Sequence, residues 1–180
     1  MDSWFLKLLL PSLGALLAFA VSRTLTWWKN YRWLRRNLGR PWYSWWETGV
    51  GAGAAPPTVD ERVQVSVSWL LQKVTITNER CTGVGAGAAG SKYRRSVYTS
   101  YGTVLGRRAL IGHYESVEGA CGTFMLTFSA DYTYAYGHWM GESFNLLEAT
   151  GSVVLGIDPN AVALGRAQLS NYAQLTASAA

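Results

Sequence analysis

The sequence predicts an all-β protein, a small antiparallel barrel of about eight strands behind an N-terminal transmembrane helix. Three observations lead there. An apolar run from Leu8 to Trp28 is followed at once by Lys29, Arg32, Arg35, Arg36 and Arg40. After Pro41 the helical pattern stops and short strand-patterned runs replace it. Gly-, Asn- and Asp-containing turns separate those runs, and no helical stretch intervenes, as expected of an up-and-down barrel without free sheet edges.

A helix needs about 20 mostly apolar residues to cross a hydrocarbon core roughly 30 Å thick. Basic residues are retained on the cytoplasmic flank, so the run from Leu8 predicts a single pass with everything after Arg40 on the cytosolic side. Trp4 and the pair Trp27-Trp28 fall where interfacial aromatic belts belong, and Arg23 is close enough to the second belt to snorkel to the headgroups. Gly14, Ala18 and Ser22 recur every four residues, a small-residue face that lets two helices approach closely in lipid. A rival reading makes the same segment a signal peptide, with Lys7 as its charged start, Leu8 to Leu17 as its apolar core and Ala18-Phe19-Ala20 as its cleavage signal. Asp2, Arg23 and the cations up to Arg40 oppose that rival.

The formal charge of +5 is carried by the stem. Residues 1–40 hold seven basic side chains against Asp2, a net +6, which leaves −1 for residues 41–180. A near-neutral domain lacks the electrostatic footprint of a protein that binds polymeric DNA or RNA. The juxtamembrane cluster suits anionic lipid headgroups, at about 1 kcal/mol per Lys or Arg near the surface.

The strands follow in order. Trp42, Tyr43, Trp45 and Trp46 are strand-prone aromatics, and Val63, Val65, Val67 and Trp69 alternate with Gln64, Ser66 and Ser68. Further strands are expected at Lys73–Thr77, Tyr93–Tyr101, Ala109–Ser116, Gly122–Phe128, Asp131–Met140 and Gly151–Ile157, with a hairpin turn at Ser129-Ala130-Asp131. The chain thus divides into a stem at 1–40, a barrel at 41–160 and an Ala/Ser-rich segment at 161–180 that reads as a short helix or a frayed tail.

One octapeptide occurs twice, at Thr48–Ala55 and Thr82–Ala89, and both copies read as loops. The second contains G-x-G-x-x-G from Gly85 to Gly90, but a strand rather than a helix follows it, so no dinucleotide fingerprint is assigned. Cys81 and Cys121 lack the clustered spacing of a zinc site and read as reduced thiols. Two histidines, two separated cysteines and no paired-carboxylate motif give no catalytic constellation. No catalytic residue, metal or cofactor is therefore expected, and the protein reads as a non-enzyme.

Leu110-x-Gly112-x-Tyr114, Gly122-Thr123-Phe124-Met125-Leu126, the Ser-Ala-Asp turn and Gly137-His138-Trp139-Met140-Gly141 form a pattern. With the N-terminal anchor, it resembles the membrane-tethered β-barrel effectors of bacterial cyclic-oligonucleotide anti-phage signalling systems. The resemblance implies a lipocalin-like barrel on the cytoplasmic face of the inner membrane that senses a cyclic di- or oligonucleotide as its regulatory ligand. It further implies homo-oligomers whose transmembrane helices cluster and disrupt that membrane. Such effectors usually carry two transmembrane helices, whereas this chain offers one.

A cyclic nucleotide needs cations for its phosphates and flat faces for its bases. Arg94 and Arg95 interleave with Tyr98 and Tyr101, and Arg107 and Arg108 follow close by. Alternation puts Arg94, Tyr98 and Ser100 on one strand face, expected to be the wetter one, and Arg95, Thr99 and Tyr101 on the other. Tyr134 and Tyr136 belong to a second stripe, facing outward if Trp139 faces in. These eight arginines and tyrosines are the candidate ligand-binding residues. The bland reading makes them a basic turn and ordinary strand-forming tyrosines. Two other functions stay open: an exported lipocalin-like carrier of an apolar ligand, and a membrane-anchored adaptor for another protein.

Overall fold

The computed structural model describes residues 3–47, 58–84, 98–117, 119–142 and 148–178, with side chains of the first helix described from Pro11 onward. Helix α1 (Ser3–Leu38) leads into eight strands: β1 (Pro41–Glu47), β2 (Thr58–Val67), β3 (Val74–Val84), β4 (Tyr98–Leu105), β5 (Ala109–Ser116), β6 (Cys121–Phe128), β7 (Tyr134–Glu142) and β8 (Glu148–Gly156). Helix α2 (Pro159–Ser178) follows. Every strand pairs antiparallel with the next, and β8 pairs with β1, so the sheet closes into an up-and-down barrel. All eight expected strands and the barrel closure are present.

Period-two alternation decides the two faces. Val63 and Val65 on β2, Val74 and Ile76 on β3, and Phe124, Leu126 and Phe128 on β6 are buried, while the residues between them are more exposed. Large side chains fill the interior, and glycines at inward positions make room for them. A Cβ on Gly122 would run into the Tyr114 hydroxyl and the Met140 carbonyl; one on Gly151 would strike the Trp139 indole and the Glu47 carbonyl.

One end of the barrel is plugged by the C-terminal part of α1. Leu34 and Leu38, one turn apart, are each only 2% exposed and join the interior cluster with Trp42 and Leu155. Three turns at this end meet the helix, and each carries a residue other than glycine at positive φ: Gln72, Arg107 and Tyr132. The Gln72 side-chain amide donates to the Trp27 carbonyl at 2.7 Å and accepts from Asn30 at 2.6 Å. The Arg107 guanidinium lies over the Trp33 ring at 5.2 Å, and Tyr132 stands edge-on to that ring at 5.0 Å. Tyr132 also donates its hydroxyl to the Arg107 carbonyl at 3.0 Å, tying two of the turns together. Left-handed backbone disfavours L-residues, so docking against α1 has to offset the cost at these positions.

Before Trp27 the helix leaves the barrel. Every residue from Pro11 to Thr26 is exposed, including Leu13, Leu16, Leu17, Phe19, Val21 and Leu25. Among the described residues no helix is long and apolar enough to cross a membrane. The span expected from Leu8 to Trp28 is corrected accordingly. From Pro11 the apolar residues are diluted by Ser12, Gly14, Ser22, Arg23, Thr24 and Thr26, and beyond Trp28 the helix runs on through the basic stem to dock on the barrel.

The C-terminal segment is a helix rather than a frayed tail. Asp158 caps it by accepting from the Ala161 N–H at 2.8 Å, and Pro159 occupies the first turn, where its missing N–H costs nothing. Val162 packs with outward-facing Trp45 and Val154, with Tyr136 and Leu169 at the margin of that cluster. The Arg166 guanidinium covers the Trp45 ring at 4.6 Å. α2 is thus a second layer outside β7, β8 and β1.

Candidate functional site

The barrel interior is not completely filled. In the half remote from α1 it holds a cavity of about 120 Å³. Aliphatic walls come from Val63, Ile76, Leu126, Val153 and Leu155, with Phe124 among them. Four more aromatic rings, Trp46, Tyr98, Tyr114 and Trp139, border the same space. The polar groups are few: Ser44, Asn78, Ser100 and, beside the aromatic rings, Glu142.

Those four rings form a closed circuit. Trp46 meets Tyr98 with centroids 6.1 Å apart and planes at 78°. Tyr98 meets Tyr114 at 5.7 Å and 73°, and Tyr114 meets Trp139 at 6.0 Å and 82°. Trp139 returns to Trp46 at 6.2 Å and 80°. Edge-to-face pairs at these separations are the arrangement that ring quadrupoles favour.

Hydrogen bonds hold two of the four rings in place. The Trp139 indole N–H donates to the Glu47 carbonyl at 3.1 Å, joining β7 to the end of β1. Tyr114 donates its hydroxyl to the Glu142 carbonyl at 3.1 Å. The Tyr98 N–H donates to the Asn78 side-chain oxygen at 2.7 Å, which satisfies a buried amide at the cavity wall. Burial pushes the Tyr114 hydroxyl up to about 12, with Cys121 and the Glu142 carboxylate adding to the effect, so the phenol stays neutral near pH 7.

Ser44 differs from these. Its side chain is 5% exposed and lines the cavity, yet its Oγ has no hydrogen-bond partner. An unpaired hydroxyl in such a place costs about 1–3 kcal/mol, which a bound molecule can recover by hydrogen bonding to it. Among the described residues no group of three His, Cys, Asp or Glu side chains is placed to hold a metal.

The structure does not gather the sequence-derived candidates into one site. Tyr98 lines the cavity. Its strand face is therefore corrected: Tyr98 and Ser100 point inward, not to the wetter side, and Tyr101 faces out against His113 with ring centroids 5.3 Å apart. Arg107 and Arg108 sit in the β4–β5 turn at the α1 end, the full length of β4 away from Tyr98. Tyr134 and Tyr136 face outward as expected, with Trp139 inward, but α2 lies beside them and Tyr136 packs into its contact. Arg94 and Arg95 lie outside the described residues, as do most of both octapeptide copies. Gly14, Ala18 and Ser22 are all exposed, and nothing lies within 4 Å of a Cβ placed on Gly14, so that face is open.

Sequence reasoning missed Trp46, Tyr114 and Ser44 as cavity residues. The available signal was the alternation Trp42, Ser44, Trp46 on β1, which puts a hydroxyl between two inward indoles.

No protein-family model matches the chain, and no curated protein matches it. Solved structures that resemble it include a redesigned β-barrel, mFAP1, bound to DFHBI, with a TM-score of 0.48 and 13% identity over 67% of this chain and 95% of that one. A second redesigned β-barrel, b11L5F_LGL, gives a TM-score of 0.46 and 10% identity over 68% of this chain and 93% of that one. These are similarities of barrel fold.

Proposed function

We propose that this protein is a small-molecule-binding barrel whose ligand occupies the interior cavity. The observation that carries the reading is Ser44: an unpartnered hydroxyl, buried and facing a largely apolar space that the core has not closed. Protein interiors pack nearly without voids, so about 120 Å³ beside four aromatic rings is a departure that a ligand explains. A space of that size suits a molecule about as large as benzene, since apolar cavities near 150 Å³ accept it. This is the carrier function, transferred to a small occupant. The reading assigns the protein no chemistry on its ligand and no cofactor.

The cavity gives no support to cyclic-nucleotide binding inside the barrel. Among the described residues its wall has no Lys, Arg or His to meet a phosphate, and Glu142 would repel one. A cyclic nucleotide would have to be held elsewhere, by cations outside this wall.

The membrane part of the expected effector has an observation in its favour. Leu13, Leu16, Leu17, Phe19, Val21 and Leu25 stand exposed on α1, and so many exposed large apolar side chains on one helix mark a surface that something covers. Arg23, Lys29, Arg32, Arg35 and Arg36 lie along the same helix, so the cover that fits is an anionic lipid surface, with the helix attached to it rather than spanning it. The barrel is then a ligand-binding head tethered to a membrane. Defence against phage by membrane disruption remains the proposal of the resemblance alone.

Titration of the full chain with benzyl alcohol and indole, read by tryptophan fluorescence and by the Trp139 indole N–H resonance, tests the binding function. Saturable shifts, abolished by Ser44→Leu in a chain that still folds, support it. Failure of every small apolar probe to shift either signal overturns it.

A further inference from the structure

The turn between β2 and β3 carries an apolar patch that the barrel core does not use. Trp69, Leu70 and Leu71 follow one another at its tip and are 53%, 72% and 64% exposed. Turns ordinarily draw on Gly, Pro, Asn, Asp and Ser, so three large apolar side chains in a row call for a surface to meet. The turn holds its own shape. The Ser68 N–H donates to the Lys73 carbonyl at 2.9 Å, and the Gln72 N–H to the Ser68 carbonyl at 3.0 Å. The Leu71 N–H donates to the Ser68 hydroxyl at 3.4 Å. Amides paired inside the turn lose nothing when water is removed, a condition for entering lipid.

Helix α1 fixes where the tip points. Gln72 is bonded to the Trp27 carbonyl and the Asn30 side chain, and the Trp69 ring stands edge-on to Trp27 with centroids 4.3 Å apart. The helix leaves the barrel at Trp27, and its neighbours Leu25 and Trp28 are exposed. The apolar surface of the projecting helix thus continues through the Trp27–Trp69 contact onto the turn.

We propose that Trp69, Leu70 and Leu71 insert into the same anionic lipid surface as α1, a second anchor that seats the barrel on the membrane by its plugged end. The inference rests on the reading of α1 as lipid-attached and adds a further contact to that interface. Charge selects lipid over a second copy of the chain. The connections at this end of the barrel all lie within the described residues. Lys73, Arg107 and Arg108 stand exposed on them, near Lys29 and Arg32 of the helix. The acidic residues there are Asp131 and Asp158, and both carboxylates accept hydrogen bonds within their own turns. A second copy would set this basic surface against itself, whereas anionic headgroups complement it. Indole rings settle at headgroup level, which suits Trp69, and the two leucines reach below it. Once α1 is bound, the tip is held beside the bilayer, so its insertion is intramolecular.

The test attaches the polarity-sensitive fluorophore NBD to one introduced cysteine in the full chain carrying Cys81→Ser and Cys121→Ser. The labelled positions are Leu71→Cys in the tip, Leu17→Cys on α1 and Val117→Cys, the last 81% exposed in the turn after β5 at the opposite end. Equimolar phosphatidylglycerol–phosphatidylcholine vesicles should raise emission several-fold at positions 71 and 17, with quenching by spin-labelled lipid, and leave position 117 as in water. Leu70→Glu should weaken vesicle binding of the full chain about tenfold. A label at 71 that stays in water while the one at 17 enters lipid overturns the second anchor and leaves attachment by α1 standing. If both stay in water, both readings fall. Entry of the label at 117 as well overturns the orientation. A signal at 71 that rises with protein concentration before any vesicle is added overturns the lipid in favour of a second copy.

Discussion

The Trp42 indole N–H donates to the Leu38 carbonyl at 3.1 Å, so the first inward side chain of the barrel closes the last turn of the helix that plugs it. Trp42 is 1% exposed and Leu38 2%, and both belong to one interior cluster. Helix end and strand start are therefore one folding unit. Leu38→Ala should cost about 2–5 kcal/mol, as large-to-small changes at buried leucines do. Trp42→Phe should cost less, combining some lost packing with the lost hydrogen bond. Urea unfolding of both variants gives the comparison, and a Leu38→Ala change near zero would show that the plug does not stabilise the barrel.

Ser44 offers a test of function through stability. Its Oγ is buried without a partner, and the space beside it is partly empty. Ser44→Val replaces the unpaired hydroxyl with two methyl groups, so the variant should be more stable by about 1 kcal/mol. Ligand binding should weaken in the same protein. Stability gained and affinity lost together mark a residue kept for a guest; an unstable variant would place Ser44 in the ordinary core.

Tyr114 makes stability sensitive to alkali. Its folded pKa is raised above the ordinary value near 10 to about 12, chiefly by burial, so the folded state holds the proton more firmly than the unfolded chain. The resulting stability is complete below pH 10 and lost as the pH climbs from 10 through 12. Absorbance near 295 nm should show one tyrosine ionising well after the exposed ones. Tyr114→Phe should flatten the alkaline part of the stability profile; an unchanged profile would assign the loss to another group.

Attachment of α1 to lipid predicts composition and salt dependence. The full chain should co-sediment with vesicles containing phosphatidylglycerol, and less with pure phosphatidylcholine or at high salt. Leu16→Glu with Leu17→Glu should reduce binding at least tenfold without changing the barrel, because both side chains are exposed and far from the docked turns. Unaltered sedimentation of the double variant would remove the helix as the attachment.

The strands were legible because each is short, alternating and bounded by turn residues, as Val63 to Val67 and Phe124 to Phe128 illustrate. The cavity was not, because its walls meet only on closure. Trp139 and Glu47, bonded at 3.1 Å, are 92 residues apart, and no local pattern announces their meeting. Tyr98 was placed on the wrong face because polar Arg94 and Ser100 share its alternation. Small inward residues such as Ser100 and Gly102 are polar or featureless in sequence, yet they leave room for the large rings of other strands. The stem misled in a similar way. Its arginines suggest a juxtamembrane stem that meets lipid headgroups, while Leu34 and Leu38, spaced one turn apart among them, are the side chains that pack into the barrel.

With Leu34 and Leu38 stoppering one pole and paired strands running unbroken around the wall, traffic into the interior is confined to the other pole. That pole looks away from the greasy projection of α1. On the proposed function, a guest would arrive from aqueous surroundings rather than by sliding out of a bilayer, which would favour compounds that travel dissolved in water over those that partition into fat.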